Sequence, residues 1–464
     1  MPENGRTATR RQVFARTAAL SASIAFAGNL SELFAGTAAA QSLGHRGYGP
    51  LIPDPNGLLD LPKGFRYRVL SREGDQLRSG EGPVPSNHDG MAAFAARPGD
   101  RHGRVHLVRN HENRVTATIP VPTVEGLTYD PMGKGGCTSL TLDRHGEVLA
   151  ERVAIAGTAV NCAGGPTPWG TWLTCEETED QAGTNGYTKD HGFIFEVDPT
   201  DPHRTGAVPL TAMGRFQHEA IAVDPKRGIV YETEDAFLKP FGLFYRFLPD
   251  KPHGGTGSLR AGGRLQAMRV PGVPDLSSIQ EPGAAFDGIE WVDVPDPLAA
   301  RTPVRLQDFG PKGITHAQKL EGCYWGGSCV YFVSSFARSA DGSAADHYGQ
   351  IWRYDPTARR LTLVIVFGPG TDVQLPGESP DNICLAPSGG LMVCEDGNGA
   401  QHVFGVTRHG EVYAMARGAQ NIGTPQAPEW GEFAGVTFSP DGATMYVNCY
   451  TPGTTFAVTG PWRG

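Results

Sequence analysis

The sequence lacks the short motifs that mark several common enzyme classes. It contains no GxSxG elbow, no GxxxxGKS/T loop and no HExxH pair, which disfavours a serine hydrolase, a P-loop nucleotide hydrolase and a zincin peptidase. No two of its eight cysteines form a CxxC pair, so a zinc ribbon or a thioredoxin-type site is disfavoured as well. Any catalytic chemistry must therefore come from residues that are spread along the chain.

Long apolar runs and sustained helical periodicity are absent outside the first 40 residues. Because a membrane-spanning helix needs about 20 consecutive apolar residues, we expect no stable membrane insertion. The chain has 62 glycines and 37 prolines, and these residues divide a chain into short elements joined by turns. The composition therefore favours an all-β protein.

Residues 1–40 have the features of a twin-arginine export signal. Arg10 and Arg11 lie in TRRQVF, an alanine-rich segment follows, and Ala38–Ala40 supplies small residues for cleavage before Gln41. We therefore predict recognition by the twin-arginine export machinery and a periplasmic or secreted location. The mature chain, residues 41–464, is expected to form a single domain.

The charge balance is acidic. Removing the four arginines and two glutamates of residues 1–40 takes the formal net charge from −9 to −11. An acidic protein is a poor partner for nucleic acid or an anionic membrane, so neither is expected to bind. An anionic substrate would need bound cations to reverse the charge locally.

Two kinds of short strand alternate along the chain. One kind ends in acids or amides, and the other begins at glycine and closes on a turn. The polar-ended units are LVRNHE, WLTCEE, VYETED, LMVCED and MYVNCY, and the glycine-led units are GFIFEVDP, GLFYRFLP, GQIWRYDP and GEVYAMAR. Repetition of one such unit is typical of a β-propeller, in which polar strand ends converge on one mouth of a central channel. A large sandwich is the alternative, and Lys251–Gly283 and Ser339–Tyr348 are expected to be inserted loops.

The strand Trp172–Thr174 is followed directly by Cys175, Glu176 and Glu177. Carboxylate oxygens suit Ca or Mn, and a thiolate favours Fe or Zn. Three anionic side chains so close together repel one another, and a bound cation would hold them in place. Taken alone, the triplet is also compatible with a buried structural cysteine followed by two solvated carboxylates.

Similar acids and amides recur at other strand ends. We interpret them as candidate cation ligands because several of them can meet at one mouth. They are Asn110, Glu112, Glu219, Asp235, Glu321, Asp381 and Glu395, with Asp89 as a turn residue that can also ligate. Five or six acids at one mouth need more than one cation, and clustered cations suit the transfer of a phosphoryl group to water.

These motifs together resemble the PhoX family of alkaline phosphatases. The resemblance rests on RNHE at Arg109–Glu112, TPWGTWLTCEE at Thr167–Glu177, GRFQHEAIAVDP from Gly214 and CEDG from Cys394. It implies a six-bladed β-propeller that carries Fe and Ca ions at one mouth and hydrolyses phosphate monoesters. It also implies that Cys175 is the iron ligand, and we predict that Lys319 and Glu321 are the catalytic residues of this chain. The ligands it implies for the whole cluster are Asn110, Glu112, Glu176, Glu219, Asp235, Glu321, Asp381 and Glu395.

The sequence departs from this family at one place. The family pattern has an arginine shortly before the acid that matches Glu321, whereas this chain has Gln318 and Lys319 there. Lysine lacks the planar fork with which arginine binds two phosphate oxygens. Two alternatives therefore stay open, another Ca-dependent hydrolase such as a lactonase or phosphodiesterase, and a propeller that binds a ligand without catalysis.

Overall fold

The computed structural model describes residues 25–26, 47–96, 103–335, 349–367, 377, 379–397, 399–407 and 410–463. Within these ranges no helix has both the length and the apolar character needed to cross a membrane. Most of the predicted export signal and all of Ser339–Tyr348 lie outside the described residues.

Six antiparallel sheets follow one another along the chain as the blades of a propeller, which confirms the predicted all-β architecture. Blade one contains His88–Ala95, Val105–His111, Gly135–Leu142 and Val148–Thr158. Blade two contains Asn161–Pro166, Trp172–Glu176 and Ile194–Val197. Blade three contains His218–Val223, Val230–Glu234, Gly242–Pro249, Gly263–Arg269 and Glu290–Asp293, with His316–Ala317 paired to its third strand.

Blades four to six complete the ring. Blade four contains Leu320–Gly326, Cys329–Ser334, Gly349–Asp355 and Arg360–Phe367, whose outer edge pairs with Ala285–Asp287 and Ala25–Phe26. Blade five contains Pro380–Leu385, Leu391–Glu395, His402–Val406, Val412–Gly418, Leu59–Pro62 and Leu51–Ile52. Blade six contains Phe433–Phe438, Thr444–Cys449, Thr454–Thr459 and Arg66–Arg72. Short 3-10 helices occur at Pro202–Arg204, Thr211–Met213, Ser258–Ala261, Leu276–Ser278 and Val304–Leu306.

The segment Lys251–Gly283 is more than an inserted loop. It contributes the strand Gly263–Arg269, which pairs with the third strand of blade three. The sequence prediction of a plain loop is wrong here because glycines and prolines flank a strand that is only seven residues long.

The two ends of the described chain close the ring. Arg66–Arg72 pairs with Thr454–Thr459, the last strand of blade six. Leu59–Pro62 pairs with Val412–Gly418, the fourth strand of blade five. Residues from both ends of the sequence therefore share two neighbouring sheets, and the propeller has no gap between its first and last blades.

Apolar side chains fill every interface between neighbouring blades. Between blades three and four, for example, the Phe244 and Phe332 rings stack with their centroids 4.2 Å apart, beside the fully buried Trp352. Burying an aromatic side chain of this size contributes about 1.5–3 kcal/mol relative to leaving it exposed. The core is thus a ring of interblade layers that holds the six inner strands at fixed positions.

The inner strand of each blade, the one next to the channel, begins with the same backbone geometry. The residue after the second strand donates its N–H to the carbonyl of the residue just before the inner strand, at 2.8–3.1 Å in all six blades. The donor and acceptor pairs are Glu112 with Asn87, Glu177 with Val160, Asp235 with Gln217, Ser335 with Lys319, Asp396 with Ser379, and Tyr450 with Glu432. Four of the six acceptor residues have a positive φ, namely Asn87, Val160, Lys319 and Ser379. A positive φ in non-glycine residues is uncommon, and its recurrence shows that the turn is part of the blade design.

A β-bulge follows this turn in every inner strand. At each bulge two residues of the inner strand oppose one of the second strand, which turns a side chain away from the regular alternation. Small residues accompany the bulges because the inner strands nearly touch. A Cβ on Gly90 would lie 2.6 Å from the Cα of Ala163, and a Cβ on Gly322 would lie 2.6 Å from the Asp381 carbonyl oxygen. These residues line a central cavity of about 40 Å³.

Candidate metal centre

The second residue of the inner strand is a carboxylate or a thiol in five of the six blades. Asp89, Cys162, Glu219, Glu321 and Asp381 occupy this position in blades one to five, and all are buried. In each of them the residue lies within the bulge, which directs its side chain toward the mouth. Blade six has Ala434 instead, and its bulge starts one residue later.

Three overlapping groups of side chains have ligand atoms within 4.8 Å of one another. They are Asp89 with Glu112 and Cys162, Cys162 with Glu177 and Glu219, and Glu219 with Glu321 and Asp381. Because Cys162 and Glu219 each belong to two groups, the seven residues form one continuous cluster, called here the mouth cluster.

The mouth cluster suits cations. It contains six carboxylates and one thiol, all buried, and the Cys162 Sγ lies 3.1 Å from Glu219 Oε1. Desolvated carboxylates at such distances repel one another and are costly to bury unless a positive charge is present. Oxygen donors and a thiolate together form a mixed hard and soft donor set, which suits more than one kind of cation.

The acids that end the second strands of blades two, three and five point away from the mouth cluster. Glu176, next to Glu177, accepts four hydrogen bonds, from the Ala159 N–H at 2.8 Å, from His191 Nδ1 at 2.6 Å, and from the N–H groups of Gly192 and Phe193 at 2.8 and 3.0 Å. Its carboxylate therefore joins the second strand of blade two to the loop that follows.

Glu234 and Glu395 occupy the equivalent last position of their second strands. Glu234 accepts hydrogen bonds from Tyr245 at 2.6 Å and Arg305 at 3.1 Å. Glu395 lies 2.8 Å from His402 Nδ1. We call Glu176, Glu234 and Glu395 the bracing acids, because each ties its strand end to neighbouring structure. Burial raises the pKa of Glu234 to about 7, although Arg305 and the Tyr245 hydrogen bond act in the opposite direction.

The Asn110 side chain makes its hydrogen bonds inside the interface between blades one and two. Its Oδ1 accepts from Cys137, Trp172 and Thr174 at 2.9–3.0 Å. Its Nδ2 donates to the carbonyls of Cys162 and Ala163 at 3.1 and 2.7 Å. Asn110 thus positions the backbone of Cys162, and its side-chain oxygen faces these donors.

Cys175 lies in the apolar layer between blades two and three. Burial raises the pKa of its thiol well above the ordinary value, and the carboxylates of Glu232 and Glu219 act in the same direction. Glu232 is itself buried, which raises its pKa strongly, and it lies 3.5 Å from His218 Nδ1. Two of the three groups of the mouth cluster contain Cys162, and none of the three includes Cys175.

Lys319 lies beside the mouth cluster with its side chain 5% exposed. Its Nζ contacts Glu321 Oε1 and lies 3.5 Å from Asp235 Oδ2. The positive φ of Lys319 is that of the repeated turn, so the blade geometry places its ammonium group on these two carboxylates. Ser335 also donates to Glu321 Oε1, at 2.9 Å.

The structure brings together four of the predicted ligands, Glu112, Glu219, Glu321 and Asp381, and it places Asp235 next to them through Lys319. Asn110, Glu176 and Glu395 are directed to other partners, and Cys175 is in an interblade layer. Sequence reasoning did not select Cys162, it considered Glu177 only as part of the triplet with Cys175 and Glu176, and it treated Asp89 as a turn residue that can also ligate. The missed signal was the start of the inner strands, where an acid or a thiol lies within the bulge in five of the six blades.

Comparisons with known proteins agree with this architecture. A sequence model of the alkaline phosphatase PhoX family matches residues 46–152 and 146–453. The solved structure of Pseudomonas fluorescens PhoX in complex with vanadate, a transition state analogue, aligns with a TM-score of 0.64 and 19% identity, covering 89% of this chain and 97% of that one. A gluconolactonase from Xanthomonas campestris aligns with a TM-score of 0.43 and 12% identity, covering 90% and 100%. No curated protein matches the chain.

Proposed function

Because this chain belongs to the PhoX family of alkaline phosphatases, we propose that its mouth cluster hydrolyses phosphate monoesters with the help of several bound cations. The observation that carries this proposal is the continuity of the cluster, in which Cys162 and Glu219 link three potential cation positions. Clustered cations suit phosphoryl transfer because they balance negative charge on the transferred group. The complex of the Pseudomonas fluorescens protein with vanadate supports the same choice of chemistry.

We propose that the cations are Fe and Ca. Cys162 would supply the soft donor for iron, and Glu219, which belongs to two of the three groups, would supply a carboxylate beside it. The carboxylates of Asp89, Glu112, Glu177, Glu321 and Asp381 are hard donors that suit Ca. When bound, these ions supply Lewis-acid activation of the phosphoryl group and of a water molecule.

The protein's own residues hold the donors in place. The bracing acids, together with Asn110, fix the strand ends and the Cys162 backbone, so that the mouth carboxylates need little rearrangement. Lys319 supplies positive charge to Glu321 and Asp235 in a buried position, which lowers the electrostatic cost of admitting a dianionic phosphate. We assign Lys319 and Glu321 to the reacting centre on this basis.

We also propose that the protein is exported. The twin-arginine pattern at Arg10 and Arg11 supports recognition by that export machinery and a periplasmic or secreted location. Twin-arginine export carries folded proteins, which fits a protein that must retain a set of bound ions.

The decisive experiment measures metal content and hydrolysis of a panel of phosphate monoesters, with a lactone and a phosphodiester included. We expect the wild-type protein to contain Fe and Ca and to release phosphate, and we expect Cys162→Ser to lose iron and activity. Cys175→Ser is the matched control, because it removes a buried thiol from the same blade. Turnover of the lactone or the diester alone, or loss of iron only in Cys175→Ser, would contradict this assignment.

A further inference from the structure

We propose that Arg114 is the phosphate-binding arginine of this protein, an inference that rests on the proposed function. Arg114 lies two residues beyond Glu112 on the loop after the second strand of blade one. Its Nη2 is 3.0 Å from Glu112 Oε1 and 3.8 Å from Glu177 Oε2. Its guanidinium therefore contacts the two groups of the mouth cluster that share Cys162.

Arg114 is also accessible to an incoming ligand. Its side chain is 49% exposed, whereas the carboxylates that it contacts are buried. Among the described basic side chains paired at this end of the propeller, Lys319 is only 5% exposed and lies on Glu321 and Asp235. Arg305 is 16% exposed and pairs with Glu179 and the bracing acid Glu234. Arg114 combines contact with the mouth cluster and access from solvent, which a phosphate-binding residue needs.

The chemistry of the guanidinium fits this role. Arginine presents five N–H donors in a planar fork that binds two oxygens of a phosphate at once, and lysine cannot do so. A carboxylate that shares its charge with bound cations attracts a guanidinium less strongly. Once Glu112 and Glu177 share their charge with bound cations, Arg114 can direct its guanidinium toward phosphoryl oxygens without leaving its position at the rim.

The inference also gives Lys319 and Arg114 different tasks. Lys319 compensates the buried carboxylates of Glu321 and Asp235, and Arg114 recognises the substrate anion beside Glu112 and Glu177, the acids of blades one and two. Arg114 accordingly contributes to binding of the phosphoryl group in both the substrate and the free phosphate product.

The test compares Arg114→Gln and Arg114→Lys with the wild-type protein. We expect Arg114→Gln to lower kcat/KM for a small phosphate monoester by about 100-fold and to weaken inorganic phosphate as a competitive inhibitor by a similar factor, since charge-assisted hydrogen bonds of this kind have such an effect. Arg114→Lys is expected to recover part of this loss. Metal content is expected to stay at the wild-type level in both variants.

The matched control is Arg204→Gln. Arg204 is 51% exposed and pairs with the buried Asp198 at 3.3 Å, so it resembles Arg114 in exposure and pairing but lies outside the mouth cluster. Its substitution is expected to leave phosphate binding unchanged.

Two results would overturn the inference. One is an Arg114→Gln variant that binds inorganic phosphate as tightly as the wild type. The other is loss of metal in parallel with loss of phosphate binding, which would make Arg114 a support for Glu112 only. If the wild type hydrolyses no ester, the proposed function fails, and a calorimetric titration of both proteins with inorganic phosphate still decides whether Arg114 binds it.

Discussion

Glu176 and Glu177 are neighbours in the sequence, yet the structure gives them opposite surroundings. Glu176 is enclosed by four hydrogen-bond donors from the segments that flank the strands of its blade, whereas Glu177 belongs to the mouth cluster with Cys162 and Glu219. The same division separates Glu234 from Asp235, because the first braces a strand end and the second lies near Lys319. Adjacent residues therefore have different roles, because the first supports the structure and the second belongs to the candidate metal centre or lies beside it.

The cause of this division is the alternation of side chains in a strand. In blades two and three the last residue of the second strand, Glu176 or Glu234, points into the protein, and the next residue, held by its N–H bond to the turn before the inner strand, lies at the mouth. Substitutions in the two sets should therefore affect different properties. Mouth variants should lose activity and keep stability, and bracing variants should show the reverse.

The largest expected effect is that of Glu219→Gln in the mouth cluster. Since even the outer-shell partners of metal ligands affect metal affinity or activity 10–100-fold, we expect a loss of phosphatase activity of at least about 100-fold. The metal-free variant should be at least as stable as the metal-free wild type, because one of several mutually repelling carboxylates is gone. Steady-state kinetics and urea unfolding measure the two properties, with the exposed Glu125→Gln as control. A variant with full activity would remove Glu219 from the site.

The second expected effect is that of Glu176→Ala in the bracing set. Removing one member of a buried, hydrogen-bonded ion pair costs about 3–5 kcal/mol, so the free energy of unfolding should fall by about that amount. The fraction that remains folded at low temperature should retain metal and most of its specific activity. Glu177→Ala is the matched control one residue away and should behave in the opposite way. If the two variants were indistinguishable, the division between bracing and mouth acids would be wrong.

The smallest expected effect is a pH dependence of the stability that the Glu176–His191 pair contributes. Burial lowers the pKa of His191, but the carboxylates of Glu176 and Asp130 together more than offset this, so the folded-state pKa is raised above the ordinary value of 6.5. The pair should then contribute its full stability below pH 6.5 and lose it as the pH rises through the folded-state pKa. Urea unfolding across this range should show the decline in the wild type and a flatter profile in Glu176→Gln. A parallel profile in both proteins would show that His191 does not titrate with folding.

Much of the fold was predictable from the sequence, and less of the site was. The polar-ended and glycine-led strands are recognisable from the local pattern of residues along the chain, and this pattern is sufficient to predict that blades form. The neighbouring acids Glu176 and Glu177 look alike in sequence, because their surroundings depend on contacts with His191 and with Cys162 across the fold.

Cys162 shows why the site itself was harder to predict. It precedes Ala163 and Gly164 in what reads as a glycine-rich loop, but the structure makes this stretch the inner strand of blade two. A β-bulge then turns the thiol toward Glu219. A bulge is hard to recognise from residue types alone. Only comparison of the starts of all inner strands reveals that the second residue is usually an acid or a thiol.

The pairing of Arg66–Arg72 with Thr454–Thr459 has a consequence for the order of events in the cell. The ribosome reaches Thr454–Thr459 only after it has made the inner strands of all six blades, so blade six stays incomplete until then. All seven residues of the mouth cluster have emerged by then, since the last of them is Asp381. The ring that fixes their spacing can close only after all seven residues have been made, so loss of either strand of this pair would disturb the arrangement of the mouth cluster at its centre.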